Sequence, residues 1–371
     1  MCYQRLTYNR GGGRKIRSSN LELYRIICML MIIAHHFVVN SGLTLPEGPM
    51  MSNPTDVNTL FLWLFGIWGK TGINCFLLIT GYFMCKSNIS LKKFVKLLLW
   101  IYLYKIVIYG IFFVTGYESF SAVRLFKLIM PVWGFQTNFT SCFIGFWLTI
   151  PFWNILIHNM TKQQHKLLIL LLLGMYTILG TIPMFGVAMN YVTWFGIIYL
   201  IASFIRLYPT KLMNDTRFWG WMSLITILFA SLSAIVMQYV IHKGAGFFVS
   251  DSNKFFAVVV AVSTFLWFKN LNIPNSKVIN AVGGSTIGVL LIHANSDAMR
   301  QWLWKDTVDC VGHYELPLMQ LIFFSVGVVL LVFFTCILID RIRIRFIEKP
   351  FFRWYDKEPR FQKLTNLLIQ E

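Results

Sequence analysis

The 371-residue chain is 57% hydrophobic and only 13% charged, with a mean hydropathy of +0.63. A soluble domain carries about 25% charged residues, so this composition excludes an ordinary water-soluble protein and predicts one polytopic membrane domain. The formal net charge of +18 would suit a nucleic-acid-binding protein, but most lysines and arginines fall in alternate connections on the side of the N-terminus. This placement follows the positive-inside rule, predicts cytoplasmic termini, and argues against nucleic acid as a partner.

Apolar segments of membrane-spanning character follow one another along the chain, and we predict an all-α bundle of about ten transmembrane helices. The segments are 21–39, 60–84, 94–115, 141–158, 166–184, 187–205, 218–241, 255–268, 278–299 and 320–339. Residues 1–20 are expected to form a basic cytoplasmic tail and 21–340 the transmembrane domain. The pattern RIRIRFIEKPFFRWYDK predicts that 341–371 is a cytoplasmic tail with an interfacial helix. No cleavable signal peptide is expected, because the basic stretch leads directly into a segment too long for one.

The first segment carries an arginine and a histidine, Arg25 and His36, separated by eleven positions. At about 100° and 1.5 Å per residue, the two lie only about 20° apart around the helix and about 16 Å apart along it. Charged and imidazole side chains are costly in lipid, so this face is expected to point into protein or water.

An imidazole suits proton transfer near neutral pH, although a histidine that is hydrogen-bonded inside the bundle gives the same sequence pattern. Arg25 could equally reach the lipid phosphates or pair with Glu22. His35 points about 100° away from His36, which favours a packing role.

The second segment contains GKTGINCFLLITGYF, in which Gly69, Gly72 and Gly81 predict close helix contacts. Lys70 and Asn74 lie one helical turn apart on one face. An unpaired amide is costly inside a membrane, so Asn74 needs a partner, and the His36 face is the candidate.

Polar residues also mark the third and ninth segments. Lys92, Lys93 and Lys96 lie at the cytoplasmic end of the third segment, where they could bind phosphates of a nucleotide-like ligand or meet anionic lipid. His293 lies in the ninth segment after GGSTIGVLLI, as a candidate second polar wall.

Several types of site are missing from the sequence. There is no G-x-S-x-G, P-loop or HExxH motif, and the seven scattered cysteines have no metal-ligand spacing, so neither a metal nor a bound cofactor is expected. Asp and Glu are absent from the middle of every segment, which argues against a proton-coupled transporter. Cys142 and Cys310 fall on the same predicted side, where two thiols are favoured over a disulfide.

Four stretches together resemble the integral-membrane acyltransferase-3 family. LELYRIICMLMIIAHH is similar to its first helix, in which ten residues separate an arginine from a histidine, and Gly69–Gly81 is similar to its G-x-x-G-V-D-x-F-F-x-x-S-G stretch. WLTIPFWNILIHNMTKQQ and GVLLIHAN resemble a Trp-rich middle helix and a late Y-L-I-H stretch. The sequence departs from the family pattern at Asn74, which replaces a frequent Asp, at Thr80, which replaces a Ser, and at Lys93-x-x-Lys96, which replaces an Arg-x-x-Arg.

The resemblance implies a multi-pass enzyme of the bacterial plasma membrane that moves an acyl group, usually acetyl from acetyl-CoA, to a hydroxyl group. The implied acceptors are cell-surface polysaccharides or their lipid-linked precursors. Acetyl-CoA is then a co-substrate, His36 the general base and Arg25 the residue that orients the donor. The main alternative is a polysaccharide exporter or flippase without acyl-transfer chemistry.

The remaining candidates take supporting roles in that interpretation. Asn74 and Lys70 are expected to stabilise the oxyanion, and His293 to wall the acceptor site. The phosphates of the donor are expected near Lys92, Lys93 and Lys96.

Overall fold

The computed structural model describes residues 18–87, 90–130, 138–242, 244–359 and 361. Every regular element in these ranges is helical, which confirms the predicted all-α class. The helices are α1 (Ser19–Val39), α2 (Pro49–Ser52), α3 (Val57–Gly66), α4 (Gly69–Met84), α5 (Leu91–Val114), α6 (Ala122–Ile129), α7 (Phe139–Asn159), α8 (Lys162–Leu173), α9 (Leu179–Thr181), α10 (Tyr191–Leu207), α11 (Thr216–Val236), α12 (Phe255–Asn270), α13 (Lys277–Gly283), α14 (Thr286–His293), α15 (Asp297–Gln301), α16 (Leu318–Arg343) and α17 (Lys349–Tyr355). Turns of π-helix extend α8, α11, α15 and α16 at Gly174–Ile178, Met237–Ile241, Trp302–Thr307 and Ile344–Glu348.

Each of the ten predicted segments coincides with helix, but not each helix is long enough to cross a membrane. Within the described residues, seven helices are long and apolar enough, and the helix pair Lys277–His293 and Asp297–Thr307, bent by 92°, adds an eighth if it forms one span. The other two, α10 and α12, have 17 and 16 residues. At 1.5 Å per residue they are about 25 Å long, less than the ~30 Å hydrocarbon core. The predicted count of about ten crossings and the cytoplasmic placement of the termini therefore stay predictions.

Helix α4 lies at the centre of the bundle and packs against α1, α10 and α12. Its glycines permit the close approach that the sequence predicts. A Cβ atom built on Gly69 would lie 2.2 Å from Cγ of His35, and one built on Gly72 would lie 2.9 Å from Cγ1 of Ile32. This contact brings Lys70, which follows Gly69, to the same level as His36 on α1.

The last helix continues beyond residue 340, where the predicted tail begins. α16, the π-helical turn and α17 form one apolar helix, Leu318–Tyr355, while 362–371 and the N-terminal 1–17 lie outside the described residues. The π turn directs Glu348 back toward Arg343, whose Nη1 donates to Glu348 Oε2 at 2.7 Å. The extension therefore packs against the bundle at least as far as this residue.

A buried ion-pair network joins α16 to α5. Arg343 and Asp340 are 4% and 1% exposed, and Arg343 Nε donates to Asp340 Oδ1 at 2.8 Å. Tyr104 donates to the same carboxylate oxygen at 2.7 Å, and Lys96 lies 2.5 Å from Glu348. The network gives the charges at this end of α16 partners from two elements, as burial requires.

Candidate functional site

A cavity of about 620 Å³ lies between α1, α4, α5, α7, α10 and the α14–α15 region. His36, Lys70 and Tyr191 face it from three different helices. Asn40, Asn295 and Arg300 line the end near the C-terminus of α1, and the wall at the opposite end is apolar, with Met29, Leu97 and Ile101. The cavity thus combines a polar end, a titratable side chain in the middle and an apolar end.

His36 is held by a second histidine. Its Nδ1 lies 3.0 Å from Nε2 of His293, and Nδ1 of His293 lies 2.6 Å from the carbonyl oxygen of Val289. His293 is 1% exposed and lies behind His36, outside the cavity lining, so it does not form the polar wall that the sequence suggests. The sequence identified both histidines but not their contact.

His35 has the packing role expected from its direction on the helix, about 100° away from that of His36. Its Nδ1 donates to the carbonyl oxygen of Gly66 at 2.7 Å, and its ring packs against Gly69. Although His35 also lines the cavity, one ring nitrogen is committed to the backbone of α3.

Lys70 contributes a positive charge to the cavity wall. Its Nζ donates to the hydroxyl of Tyr191 at 2.5 Å and lies 3.7 Å from Oδ1 of Asp251. Neither partner is visible as a site residue in the sequence, because Tyr191 follows Lys70 by 121 positions and has no motif around it. The Lys70–Tyr191 pair presents a cation and a hydroxyl group to the cavity.

The expectation that Asn74 finds its partner on the His36 face is wrong. Asn74 is fully buried, its Nδ2 donates to the carbonyl oxygen of Ser252 at 2.7 Å, and its Oδ1 accepts from Nε1 of Trp194 at 2.9 Å. The physical reason is helix rotation: Asn74 lies on the side of α4 that faces α10 and α12, while Lys70 and Ile73 face the cavity. The amide therefore ties three elements together.

Arg25 lies on the same stripe of α1 as Met29, Ile32 and His36, one turn beyond the apolar end of the cavity. Its guanidinium forms the ion pair with Glu22 that the sequence left open, at 3.3 Å, and its side chain is 26% exposed. Arg25 and His36 therefore do not share one reacting centre, but a ligand extending along this stripe would pass both.

The three lysines of α5 lie on two different stripes of the helix. Lys92 and Lys96 lie 2.5 Å from Asp356 and Glu348, respectively, so carboxylates of the last helix neutralise both. Lys93 is exposed and stands four residues before Leu97 and eight before Ile101, on the stripe that lines the cavity. The spacing along α5 therefore places Lys93 one turn beyond Leu97, on the side of the apolar end of the cavity.

Cavity residues at the polar end were missed by sequence reasoning. Asn40 could have been identified from the sequence, because it stands four residues after His36 and lies on the same face of the helix. Asn295 ends the GVLLIHAN stretch, but helical periodicity does not place its side chain or that of Arg300, because the chain bends between His293 and Asp297. The disulfide alternative at the same end is not realised, since Cys142 and Cys310 are both thiols.

Comparison with known families identifies the kind of domain. A family model described as an acyltransferase domain matches residues 18–340. No curated protein and no solved structure matches the chain significantly.

Proposed function

The chain belongs to the acyltransferase-3 family and is a membrane acyltransferase, and we propose that it transfers an acyl group from acyl-CoA to a hydroxyl group of a cell-surface glycan or its lipid-linked precursor. Acetyl is the acyl group we propose, and the plasma membrane of a bacterium the location. The observation that supports this proposal most is one cavity in which His36 stands between an apolar end, beyond which Arg25 lies one turn further along α1, and a polar end with Asn40, Asn295 and Arg300.

His36 is the general base in this proposal. Its imidazole removes the proton from the acceptor hydroxyl while the hydroxyl oxygen attacks the thioester carbon. The resulting tetrahedral intermediate expels the thiolate of CoA as the carbon–sulfur bond breaks, and the imidazolium returns the proton to that sulfur. The products are an O-acyl ester and CoA with a free thiol, so protons and electrons balance without a further reagent.

Lys70 and Tyr191 supply the stabilisation of the oxyanion. Developing negative charge on the thioester oxygen requires positioned donors in a site shielded from water. Lys70 carries a positive charge, and its bond to Tyr191 orients both groups at the cavity wall. Asn74 is less suited to the role, because its amide already donates and accepts within the protein core.

The donor occupies the apolar end of the cavity and extends along α1 toward Arg25. Arg25 and His36 are separated by about 16 Å along the helix, a span that suits an elongated thioester lying along it. Of the three lysines proposed to bind its phosphates, Lys93 has the most favourable place, because it falls on the helical stripe of Leu97 and Ile101, which line the cavity. Arg25 and Lys93 therefore bind the phosphates.

The acceptor occupies the opposite end of the cavity. Asn40, Asn138 and Asn295 line this end, and amide side chains both donate to and accept from sugar hydroxyl groups. A hydroxyl-rich ligand is accordingly a good chemical match for this end of the cavity, where Arg300 is paired with Asp297.

Replacement of Arg25 or Lys93 by glutamine is expected to raise the KM for acyl-CoA about tenfold each, because each loses a charge-assisted bond to phosphate. Steady-state kinetics with acyl-CoA as the varied substrate measures the change. Lys92→Gln is the matched control: it removes an adjacent lysine whose partner is Asp356, and its KM should equal that of the wild type. An equal rise in all three variants, or in none, would contradict the assignment.

The proposed function is tested with the purified protein in lipid vesicles, supplied with labelled acetyl-CoA and a lipid-linked glycan. We expect label in the glycan as an ester that mild base removes. Movement of the glycan across the vesicle membrane without acetyl-CoA, together with unlabelled glycan, would instead identify an exporter and refute the proposal.

A further inference from the structure

The contact between His36 and His293 determines which nitrogen of His36 can act as a base. A carbonyl oxygen only accepts hydrogen bonds, so the 2.6 Å contact with Val289 requires a proton on Nδ1 of His293. In the neutral ring, Nε2 of His293 is then an acceptor. That acceptor lies 3.0 Å from Nδ1 of His36, which must therefore carry the proton of its own ring. The lone pair of neutral His36 is left on Nε2.

From this chain of hydrogen bonds we infer that His293 is a positioning residue for acyl transfer, which fixes the tautomer and orientation of His36 so that Nε2 meets the acceptor hydroxyl. The inference rests on the proposed function. It differs from the wall role that the sequence suggests, because His293 acts through His36 and does not touch the substrate.

Burial makes this arrangement rigid. His293 is 1% exposed, its ring stands edge-on to Trp304 with centroids 6.5 Å apart, and Trp304 is fully buried. Helix α14 provides the anchor, since Val289 and His293 are one turn apart on it. Rotation of the His293 ring would break two hydrogen bonds in a closely packed interior, where a buried polar group left unpaired is costly.

The same geometry supports the charged intermediate of the reaction. When Nε2 of His36 takes the proton from the hydroxyl, the ring becomes a cation and its Nδ1–H becomes a stronger donor. Nε2 of His293 accepts that bond while His293 itself stays neutral. The proton leaves again from Nε2 of His36 to the CoA thiolate, so His293 gains and loses nothing in a complete turnover.

Two substitutions at position 293 separate positioning from packing. Phenylalanine keeps an aromatic ring of similar size but offers no acceptor, so His293→Phe is expected to lower kcat about 10²-fold, with KM for both substrates little changed. The Oε1 atom of glutamine can reach the place of the ring Nε2, so His293→Gln should recover most of that loss. Normal kcat in His293→Phe, or equal losses in both variants, would overturn the inference.

A measurement on the wild-type protein tests the inference without relying on how the variants fold. Solid-state NMR with ¹⁵N-labelled histidine distinguishes the two tautomers, and the loss of signals in His36→Gln assigns those of His36. We expect a protonated Nδ1 on His36; a protonated Nε2 in the neutral ring would refute the inference. Full activity of His36→Gln would instead refute the proposed role of His36, whereas an inactive His36→Gln beside a fully active His293→Phe refutes only the role of His293.

Discussion

Replacement of His36 by glutamine is expected to lower the turnover of acyl transfer about 10²–10⁴-fold, the range that general-base assistance contributes. The amide of glutamine can occupy part of the space but cannot take a proton from a hydroxyl group. KM for acyl-CoA should change little, because the proposed phosphate-binding residues lie about 16 Å away at the other end of the α1 stripe. Initial rates of ester formation, measured with saturating acceptor, give the change.

The control for this experiment is His158→Gln. His158 is exposed near the C-terminal end of α7 and its ring contacts only its own helix at the carbonyl oxygen of Asn154, 2.7 Å away, among the bonds described. The turnover of the His158→Gln protein should equal that of the wild type. A folded His36→Gln protein with the turnover of the control would contradict the role of His36.

Replacement of Arg343 by methionine is expected to lower the free energy of unfolding by about 3–5 kcal/mol, because it leaves buried carboxylates without their partner. Asp340 is 1% exposed and, among the described residues, keeps the bond from Tyr104, while Glu348 keeps Lys96 and Trp100. Denaturant unfolding in detergent micelles, followed by tryptophan fluorescence, measures the loss.

Arg341→Met is the matched control, since Arg341 lies two residues earlier on the same helix and is exposed. Its stability should remain near that of the wild type. The double variant Asp340→Asn, Arg343→Met should regain part of the lost stability, because it removes a buried charge along with its partner. A single variant as stable as the control would show that the network does not hold α16 to α5.

Local periodicity was enough to predict the stripe of α1. Arg25 and His36 lie on one unbroken helix, Ser19–Val39, so the rotation of about 100° per residue relates them directly. The close contacts of Gly69 and Gly72 could also be predicted, since small residues at helical spacing in an apolar segment permit close approach.

Partners that are distant in sequence could not be predicted in the same way. Asn74 bonds to Trp194 across 120 positions, and Lys92 to Asp356 across 264. Such contacts depend on how helices rotate against each other, which the pattern within a single helix does not determine. For that reason the sequence marked Asn74 as a cavity residue and did not distinguish Lys93 from its two neighbours. Whether α10 and α12 are full spans stays a prediction, because burial inside protein can make a short helix as apolar as a spanning one.

The central claim is that His36 drives transfer of an acyl group to a hydroxyl oxygen, and the most direct measurement is the balance between CoA thiol released and O-acyl ester formed by the purified protein. We predict one ester for each thiol in the wild type, thiol release that requires a hydroxyl acceptor, and neither product above background in His36→Gln. Ester formation that is unchanged in His36→Gln, or thiol release without any ester, would contradict it.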